Sequence, residues 1–574
     1  MSLMSHLSKL AGKAFIEMGL PAEHGAVVPS QRPELAQFQV NGAMAAAKDA
    51  GQPPRDIAKA VARSLLGEPE ISMAEVAGPG FVNIELTDEA LADWSRRSAA
   101  DRRLGYETHG ERMTVLVDYA GPNVAKAMHV GHLRATIIGD SLARLFTFAG
   151  HDVIRDPHFG DWGFQMGLLI TAVTEEGLDP TTITLEDLQR IYPEASSRAE
   201  TDAEFADKAR AATVLLQQGD EASLVLWQQM KSVSERSQRD DFSALGVSFD
   251  LWYGESDVAE YLAPLVERLE ESGVAEESDG ALVVRVEEPE DTRDWPPLIL
   301  RSTAGAFLYS TTDLATVQMR VDVLGVDLVL YVVDNRQGDH FTQVFRAAQR
   351  AGIVNDSVRL EHIGFGTMNG PDGKPFKTRE GGVVRLGDVI EMLQAAARER
   401  IDEAHIAEGY PEEERERIAA QVGVAALKFG DLINNRASDY VFDLDRFSSF
   451  EGKTGPYLQY AAVRIKSILR KAAAEGLEPG EIIAPTVDTE RDLMLHLMRL
   501  PEVIDRTIDL RAPNHVAEYA HTLAGAWNRF YDQCHILGES DVERQASWLA
   551  VALWAEAALE TLLDLIGIEV PDRM

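Results

Sequence analysis

The stretch VDYAGPNVAKAMHVGHLRATIIGDSLARLF (residues 117–146) decides the fold, because it joins a strand pattern to a helix pattern through a short loop. The letters TVLV at 114–117 are apolar and β-branched, which is typical of a buried parallel strand. From Leu133 onward, apolar residues recur at helical spacing up to Gly150, a residue type that commonly ends a helix. A second strand pattern, DVIRD at 152–156, follows at once. The region therefore predicts a strand–helix–strand unit of a parallel sheet.

Two histidines, His129 and His132, stand where the loop meets the predicted helix. Ligands bind at the carboxyl ends of parallel strands, and a helix N-terminus offers free N–H groups to anions. Gly131 has no side chain, so a flat purine could lie against its backbone, while imidazoles can donate hydrogen bonds to phosphate oxygens. Three interpretations of HVGH stay open on these four letters: a nucleotide site, a metal site and structural histidines. The strand–loop–helix setting favours the first.

Composition limits the class of protein. The chain has 574 residues, of which 45% are hydrophobic and 26% charged, as expected for a globular protein of several domains. Its single cysteine, Cys534, excludes an intrachain disulfide framework and a zinc site built from thiolates. No run approaches the roughly 18 consecutive apolar residues of a membrane span, and the N-terminus lacks the features of a signal peptide. We therefore expect a cytoplasmic protein without a membrane partner.

The net charge of −38 opposes binding of a polyanion to the surface as a whole, but binding depends on where the cations lie. One basic cluster occurs in VRIKSILRK, with Arg464, Lys466, Arg470 and Lys471. Such a cluster is either a solvated helix face or a contact for phosphates.

Three regions follow from the patterns. Residues 1–110 mix helix patterns, including LAQFQVNGAMAAAKDAG, with one strand pattern in AGPGFVNIEL. Residues 111–385 alternate strands and helices, with a second unit starting at LVLYVV (328–333) and an acidic helical insertion at about 171–290 that lacks comparable buried strands. Residues 386–574 have the pattern of helices throughout. The expected class is α/β.

The stretch from residue 117 through HFGDWGFQMG (158–167) resembles the catalytic region of arginyl-tRNA synthetases, class I enzymes whose HIGH motif would be HVGH here. The likeness extends over almost the whole chain, through FQVNGAMAAAKDAG, AGPGFVNIEL, YVVDNRQGDHFTQVF, GTMNGPDGKPFKTREGG, TGPYLQYAAVRIKSILRK and GIEVPDRM. It implies a Rossmann-like catalytic domain, an α+β N-terminal extension and an all-α anticodon-binding domain at the C-terminus.

The resemblance also implies an activity. It is the ATP-dependent ligation of L-arginine to tRNA(Arg) through arginyl-adenylate, with release of AMP and pyrophosphate and transfer to the 2′-hydroxyl of the terminal adenosine. Mg²⁺ would accompany the ATP phosphates, and no metal held tightly by the protein is expected. Enzymes of this family are typically monomeric and need tRNA even for the activation step.

The residues implied for ATP and catalysis gather around two motifs. The ATP site would comprise His129, Gly131, His132, Lys374 and Lys377, and catalysis would use Lys126, His129, His132, Lys377 and Arg379. The family's KMSKS loop corresponds to 374–379, where Thr378 replaces its usual lysine. In the family the upstream lysine, here Lys126, is thought to compensate.

Arginine selectivity needs carboxylates and planar acceptors that fit a guanidinium. The family's substrate residues correspond to Asp118, Asn123, Tyr309, Asp313 and Gln337. Tyr309 and Asp313 are four residues apart, so one helical turn would place both on one face. Taken singly, each acid could equally be a helix cap or a surface charge.

For tRNA, the resemblance points to Phe81 and Asn83 at the D-loop, and to Tyr457, Tyr460 and Arg464 at the anticodon. Aromatic rings that stack on bases beside an amide or a cation are a common solution in RNA recognition. The alternative is that Phe81 and the tyrosine stripe belong to the core. His158, Gly160, Asp161 and Gln165 would shape the wall of the site, and Pro157, Phe164, Ala120 and Gly121 depart from the residues common in the family.

Other functions remain to be distinguished. A small-molecule nucleotidyltransferase would use the same HxGH letters but would not need an RNA-sized helical domain. Another class I synthetase is disfavoured because Cys534 is the only thiol, whereas several relatives carry cysteine-based zinc sites. An RNA-binding relative without chemistry would be expected to have lost His129, His132 or Lys126, and all three are present. Arginine- and tRNA-dependent exchange of pyrophosphate into ATP separates these possibilities.

Overall fold

The computed structural model describes residues 2–30, 32, 34–303, 305–374, 376 and 384–574. It contains a parallel sheet flanked by helices, a mixed N-terminal part and a C-terminal part made of helices, which confirms the predicted fold class.

The N-terminal part is a four-stranded antiparallel sheet with the order β1-β2-β4-β3 and helices packed against it. Its elements are α1 (Leu3–Glu17), β1 (Val27–Pro29), β2 (Phe38–Val40), α2 (Ala43–Ala50), α3 (Pro54–Leu65), β3 (Ile71–Ala77), β4 (Phe81–Leu86) and α4 (Asp88–Ala100). The expectation of one strand in this region is wrong. The letters FQV form β2, because Phe38 and Val40 alternate with Gln39 and are buried in the core, and the helix formers begin a helix only at Ala43.

The central part is built on a four-stranded parallel sheet with the order β11-β10-β5-β6. Its elements are β5 (Thr114–Tyr119), α5 (Val130–Phe148), β6 (Asp152–Asp156), α6 (Phe164–Glu176), α7 (Leu185–Thr201), α8 (Ala203–Gln217), α9 (Glu221–Ala244), α10 (Ala259–Glu271), β7 (Ala275–Ser278), β8 (Ala281–Val284), β9 (Leu298–Arg301), α11 (Tyr309–Asp322), β10 (Leu328–Val332), α12 (Gly338–Arg350), β11 (Arg359–His362) and β12 (Met368–Asn369). From β5 the chain continues to its neighbour β6 on one side of the sheet, and from β10 it continues to its neighbour β11 on the other side. A crevice therefore opens between β5 and β10 at their carboxyl ends, where Asp118 lies opposite Tyr331.

The inserted region is helical, as predicted, but it also leads into a three-stranded antiparallel sheet, β7-β8-β9. The expectation that it lacks buried strands is wrong, because Leu282, Val283 and Val284 of β8 are buried. Asp279 and Gly280 join β7 to β8 with φ values of 50° and 79°. An Asp-Gly pair with two positive φ angles is the usual two-residue hairpin turn, so the sequence carried a local signal for these strands.

The C-terminal part consists of helices that pack on one another and on α5. Its elements are α13 (Leu386–Glu403), α14 (Glu412–Leu432), β13 (Tyr440–Val441), α15 (Leu444–Phe447), α16 (Gly455–Ala474), α17 (Asp488–Leu497), α18 (Leu500–Leu510), α19 (Asn514–Gln533) and α20 (Val542–Leu565). The two residues of β13 are a departure from the expected all-helical region. They pair in parallel with β12, just before the basic loop of the central part.

The helix α20 is long and apolar enough to cross a membrane by length and composition, with a mean hydropathy of 1.3 over its best window. Of that window, 61% is buried inside the protein, and Trp554, Ala558 and Leu562 belong to the common core. Core helices of globular proteins pass the same test, and the packing of α20 is that of a core helix.

Gly455 provides a test of helix packing. A Cβ atom added there would overlap the carbonyl group of Ala425, so α16 approaches α14 closely only because this side chain is absent. We predict that Gly455→Ala lowers the free energy of unfolding by about 1–3 kcal/mol, measured by urea denaturation.

Gly525 in α19 is the matched control, since a Cβ there meets only the guanidinium of Arg529 at 3.6 Å. Gly525→Ala is expected to leave stability unchanged or raise it by up to about 1 kcal/mol, because alanine favours the helix. An equal loss in both variants would contradict the proposed close approach.

Candidate active site

A cavity of about 350 Å³ lies in the crevice at the carboxyl ends of β5 and β10. Most of the residues expected around the substrates line it: Asp118, Asn123, His129, Gly131, His132, Asp313 and Gln337. These residues come from the end of β5, the following loop, the start of α5, the helix α11 and the turn before α12. The fold therefore brings together side chains that are up to about 200 positions apart in the sequence.

The two histidines of HVGH form the N-terminal cap of α5. The backbone N–H of Gly131 donates to Nδ1 of His129 at 3.0 Å, and the backbone N–H of His129 donates to Nδ1 of His132 at 3.1 Å. Because both Nδ1 atoms accept, each neutral ring carries its proton on Nε2. Burial lowers the pKa of His129 and lowers that of His132 to about 3. At neutral pH the pair therefore offers two uncharged N–H donors.

Gly131 is required by the fold of this cap. A Cβ atom at residue 131 would lie 2.6 Å from Cε1 of His129, because that ring folds back over the helix start. Gly131 and His129 also line a second cavity of about 190 Å³ with the apolar residues Phe365, Met368 and Phe376. A flat aromatic group fits these surroundings, as the sequence suggested.

The loop before the histidines has a strained backbone. Ala120, Gly121 and Ala125 have φ values of 80°, 50° and 67°, which alanine rarely adopts. Hydrogen bonds of 3.1–3.2 Å hold this loop to the segment after β6: from N–H of Gly121 to Pro157, from N–H of Val124 to Gly160, and from N–H of Gly160 to Pro122.

Gly160 fixes Asn123. A Cβ atom at residue 160 would overlap Oδ1 of Asn123, and Gln165 donates to the carbonyl oxygen of Gly160 at 2.6 Å. The HFGDWGFQ segment thus supports the loop from behind, which is the role of a site wall expected from the sequence. His158 itself lines the main cavity.

Asp118 was expected to be a carboxylate open to a guanidinium, but Arg320 of α11 already holds it at 2.7 Å. Arg320 is fully buried and also contacts Asp156 at 2.8 Å, and Asp156 lies 3.5 Å from Nδ1 of His158. Burial raises the pKa of Asp118, and the charge of Arg320 opposes that rise. The sequence analysis missed Arg320, although it lies seven residues after Asp313, on the same helical face.

Asp313 and Tyr309 occupy the first turns of α11, as their spacing predicted. Nε2 of His340 lies 2.6 Å from Oδ2 of Asp313, so this carboxylate has a partner that neutralises it only when the imidazole is protonated. Tyr309 is 64% exposed, and its ring centre lies 5.0 Å from that of His340 with the two rings tilted by 49°. It lies at the rim and not among the residues lining the cavity.

Glu255 is a further carboxylate that the sequence analysis missed. It is half-buried in the region of Asp161 and Asp313, and its carboxylate accepts a hydrogen bond of 3.2 Å from the backbone N–H of Trp162. Burial, reinforced by the charges of Asp161 and Asp313, raises its pKa to about 7. An incoming cation would favour its ionised form.

Lys126 lies in the loop before the histidines, and Lys374 lies at the start of the basic loop. The ammonium of Lys126 lies 4.8 Å from the ring centre of Tyr192 in α7, and its charge contributes to the lowered pKa of both histidines. Lys374 is exposed in a turn closed by its carbonyl oxygen and the N–H of Gly370. Lys377, Arg379 and Thr378 lie outside the described residues.

The chain after this loop returns to the HVGH segment. The N–H of Val130 donates to the carbonyl oxygen of Val384 at 3.2 Å, and the N–H of Leu386 donates to that of Met128 at 2.9 Å. The backbone pairing ties the far end of the basic loop to the start of α5.

The residues proposed for tRNA lie far from the cavity. Phe81 and Asn83 are half-buried on the outer face of β4, where they alternate with the buried Val82 and Ile84. Asn83 accepts a hydrogen bond of 2.8 Å from Gln39. This alternation places Phe81 outside the N-terminal core.

On α16 the three residues differ. The hydroxyl of Tyr457 accepts a hydrogen bond of 2.9 Å from Asn528, and its ring packs against the core, whereas Tyr460 is 43% exposed. Arg464 lies over the ring of Tyr531 at 4.7 Å. In the basic cluster beside it, Lys466 forms an ion pair of 2.5 Å with Glu560.

Three family models together match most of the chain. Residues 98–444 match the catalytic domain of class I tRNA synthetases (R), residues 3–86 match the arginyl-tRNA synthetase N-terminal domain, and residues 458–574 match the DALR anticodon-binding domain. The chain belongs to the arginyl-tRNA synthetase family.

Curated relatives agree with this assignment over their full length. An arginine–tRNA ligase from Maricaulis maris is 48% identical and one from Hyphomonas neptunium is 46% identical, with 100% of each chain covered. Among solved structures, arginyl-tRNA synthetase from Thermus thermophilus has a TM-score of 0.82 at 25% identity, with 100% of both chains covered. That from Plasmodium falciparum has a TM-score of 0.83 at 22% identity, covering 100% of this chain and 99% of that one, and supports the fold.

His132 tests the imidazole pair of this synthetase. We predict that His132→Ala lowers the rate of amino acid activation by about two to four orders of magnitude, since a preorganised donor to a developing oxyanion is lost. Pyrophosphate exchange measures this rate, and circular dichroism checks the fold. His405→Ala, at an exposed site, is the control; an unaltered rate in His132→Ala would contradict the assigned role.

Proposed function

We propose that the chain joins L-arginine to tRNA(Arg) in two steps within the 350 Å³ cavity. The arginine carboxylate attacks the α-phosphorus of ATP, which forms arginyl-adenylate and releases pyrophosphate. The 2′-hydroxyl of the terminal adenosine of tRNA then attacks the activated carbonyl carbon, and AMP leaves. The observation that carries this proposal is the pair of neutral imidazole donors at a helix N-terminus beside carboxylates that suit a cation.

No side chain needs to act as a nucleophile, so the residues contribute alignment and charge. His129 and His132 would donate their Nε2–H groups to phosphate oxygens, and the purine would lie against Gly131 in the apolar second cavity. The cations Lys126, Lys374, Lys377 and Arg379 would contact the phosphates. Mg²⁺ would accompany ATP as part of the substrate, held by its phosphate oxygens.

Arginine recognition would involve carboxylates that differ in their ion pairing and in their pKa. Asp313 and the half-buried Glu255 would face the guanidinium, with Tyr309 at the rim. Asp118 is held by Arg320 through Oδ2, so we assign it, with Asn123 and Gln337, to the α-ammonium and carboxylate end of the substrate.

For tRNA, we propose that Phe81 and Asn83 contact the D-loop and that Tyr457, Tyr460 and Arg464 contact the anticodon, with Tyr460 providing the exposed ring. Residues 1–110 would contact the D-loop, residues 111–385 would carry out catalysis, and residues 386–574 would bind the anticodon. We further propose that activation requires bound tRNA and that the enzyme works as a cytoplasmic monomer.

Pyrophosphate exchange into ATP tests the function. We expect exchange that depends on both L-arginine and tRNA(Arg), with no activity on lysine or cysteine. Exchange supported by another amino acid and not by arginine would overturn the assignment, and exchange with a substrate that is not an amino acid would favour a nucleotidyltransferase.

The site predicts a pH dependence of arginine binding. Glu255, with its pKa of about 7, is mostly protonated at pH 6 and ionised at pH 8, and only the ionised form attracts a guanidinium. Burial lowers the pKa of His158, but the nearby carboxylates of Asp156 and Asp118 raise it overall, so His158 loses positive charge in the same direction. We predict that the KM for arginine falls about tenfold from pH 6 to pH 8.

Glu255→Gln separates the two contributions, because it keeps the volume and removes the titration. Its KM for arginine should be high and should fall by much less than about tenfold over this range, with the remaining fall due to His158. The KM for ATP should match that of the unaltered enzyme. A KM for arginine independent of pH in the unaltered enzyme would remove Glu255 from the pocket.

Phe81 tests the tRNA assignment. We predict that Phe81→Ala raises the KM for tRNA in charging by about 10- to 100-fold, given about 1–3 kcal/mol for a stacked base, and leaves the KM for arginine unchanged. Leu66→Ala, at a 53% exposed apolar site of the same N-terminal part, is the control. Charging by Phe81→Ala with a normal KM for tRNA would contradict the D-loop contact.

A further inference from the structure

Arg134 is a buried charge in α5 that the proposed function does not use. It lies four residues after Val130, and its side chain is 2% exposed. It lines the second cavity together with His129 and Gly131. A buried guanidinium is costly unless its donors are matched, so its partners indicate what it holds in place.

Those partners come from two other segments of the chain. Nε of Arg134 donates to Oδ2 of Asp431 in α14 at 3.0 Å. Nη1 donates to the carbonyl oxygens of Gly366 at 2.8 Å and of Ser438 at 2.9 Å. Gly366 lines the second cavity, whereas Asp431 and Ser438 belong to the helical part that precedes α16. One side chain thus connects the start of α5, a wall of the nucleotide site and the C-terminal helices.

The wall itself rests on the same C-terminal segment. The N–H of Gly366 donates to the carbonyl oxygen of Arg436 at 2.9 Å, and the N–H of Tyr440 donates to that of Thr367 at 3.1 Å. A Cβ atom at residue 366 would lie 2.6 Å from Oδ1 of Asp439, so the two segments are in direct contact. A displacement of residues 436–440 would therefore displace the wall.

The helix α14 continues this connection toward the proposed anticodon surface. Its Ala425 meets Gly455 at the beginning of α16 in a contact that leaves no room for a side chain. The same α16 carries Tyr460 and Arg464. Rigid helices in close packing pass small shifts along their length, so a shift of α16 would reach Asp431.

The ion pair has unused hydrogen-bonding capacity. Nη2 of Arg134 and Oδ1 of Asp431 are both buried without a hydrogen-bond partner of ordinary geometry within the described part of the chain, and so is the hydroxyl of Tyr440, which acts to lower the pKa of Asp431. Buried polar atoms of this kind are rare and call for an explanation. A pair that rearranges when ligands bind provides one, because a second arrangement can satisfy these atoms.

We propose that Arg134 is a positioning residue that couples tRNA binding on the C-terminal helices to the nucleotide site. This inference rests on the proposed function, because it takes α16 as a tRNA contact and the second cavity as the purine site. In the coupled state, tRNA shifts α14, the Arg134–Asp431 pair tightens, and Gly366 and the start of α5 close on ATP.

The experiment measures the dissociation constant of a non-hydrolysable ATP analogue with and without tRNA(Arg). Binding coupling is reciprocal, so the ratio of the two constants reports it directly. We expect tRNA to tighten binding of the analogue about tenfold in the unaltered enzyme. Arg134→Lys keeps the charge but cannot bond all three partners, and Asp431→Asn removes the ion pair; each should bring the ratio to within twofold of one.

Arg144→Lys is the matched control. Arg144 lies on the same helix and also contacts the C-terminal part, through Asp564 at 2.7 Å, but it does not line the second cavity. Its ratio should equal that of the unaltered enzyme. A ratio of one in the unaltered enzyme, or an unchanged ratio in Arg134→Lys and Asp431→Asn, would overturn the proposal.

Loss of folding is addressed by the double variant Arg134→Met with Asp431→Leu, in which apolar groups replace the pair. Such replacements of buried ion pairs commonly preserve the fold. We expect a cooperative melting transition near that of the unaltered enzyme and no effect of tRNA on binding of the analogue. A folded double variant that retains the full ratio would show that the pair is only structural. Arginine-dependent exchange by the unaltered enzyme tests the proposed function separately.

Discussion

The active site depends on the way the helix α5 begins. Two backbone N–H groups at its start donate to the Nδ1 atoms of His129 and His132, which fixes both ring orientations and leaves both Nε2–H groups free. This arrangement requires glycine at residue 131 and burial of His132. It also requires the strained loop before the helix, which is held by the segment after β6. Uncharged donors suit this task, because their orientation is set before the substrate arrives.

The charges around the cavity fall into two groups. Arg320 bridges the carboxylates of Asp118 and Asp156 at the carboxyl ends of the strands and holds β5, β6 and α11 together. Within the described part of the chain, neither Glu255 nor Asp313 forms an ion pair with a lysine or an arginine, and Asp313 contacts the imidazole of His340. The first group stabilises the frame, and in the proposed function the second supplies negative charge for a cationic substrate. A carboxylate that is already ion-paired contributes more to the rigidity of the fold than to affinity for a ligand. This difference explains the separate roles proposed for Asp118 and Asp313.

In the proposed function, the strongly acidic chain contacts RNA through a few local groups of aromatic and basic side chains. Phe81 lies on the outer face of the N-terminal sheet, while Tyr460 and Arg464 lie on α16 in the C-terminal part. Between them, the C-terminal helices pack on α5 and on the wall of the nucleotide site. The N-terminal, central and C-terminal parts are thus in contact, and packed helices connect their surfaces to the elements that line the cavity.

Short-range patterns in the sequence were enough to predict several of the helices and strands. The β-branched run of β5, the glycine that ends α5 and the four-residue spacing of Tyr309 and Asp313 on α11 all follow from short-range preferences. The Asp-Gly turn between β7 and β8 was equally local, although helix-rich surroundings hid it. The continuous stretch around HVGH also contains most of the predicted site residues that line the cavity, namely Asp118, Asn123, His129, Gly131 and His132.

The pairing of distant charged side chains, by contrast, became visible only in the folded structure. Nothing within a few residues of Asp118 indicates that Arg320, about 200 positions later, will occupy its carboxylate, or that Glu255 will lie half-buried within the influence of the charges of Asp161 and Asp313. The same holds for Arg134 and Asp431, which are brought together by helix packing. Pairing and burial depend on the distance between chain segments and on the loss of water. A sequence specifies these quantities only through the complete fold.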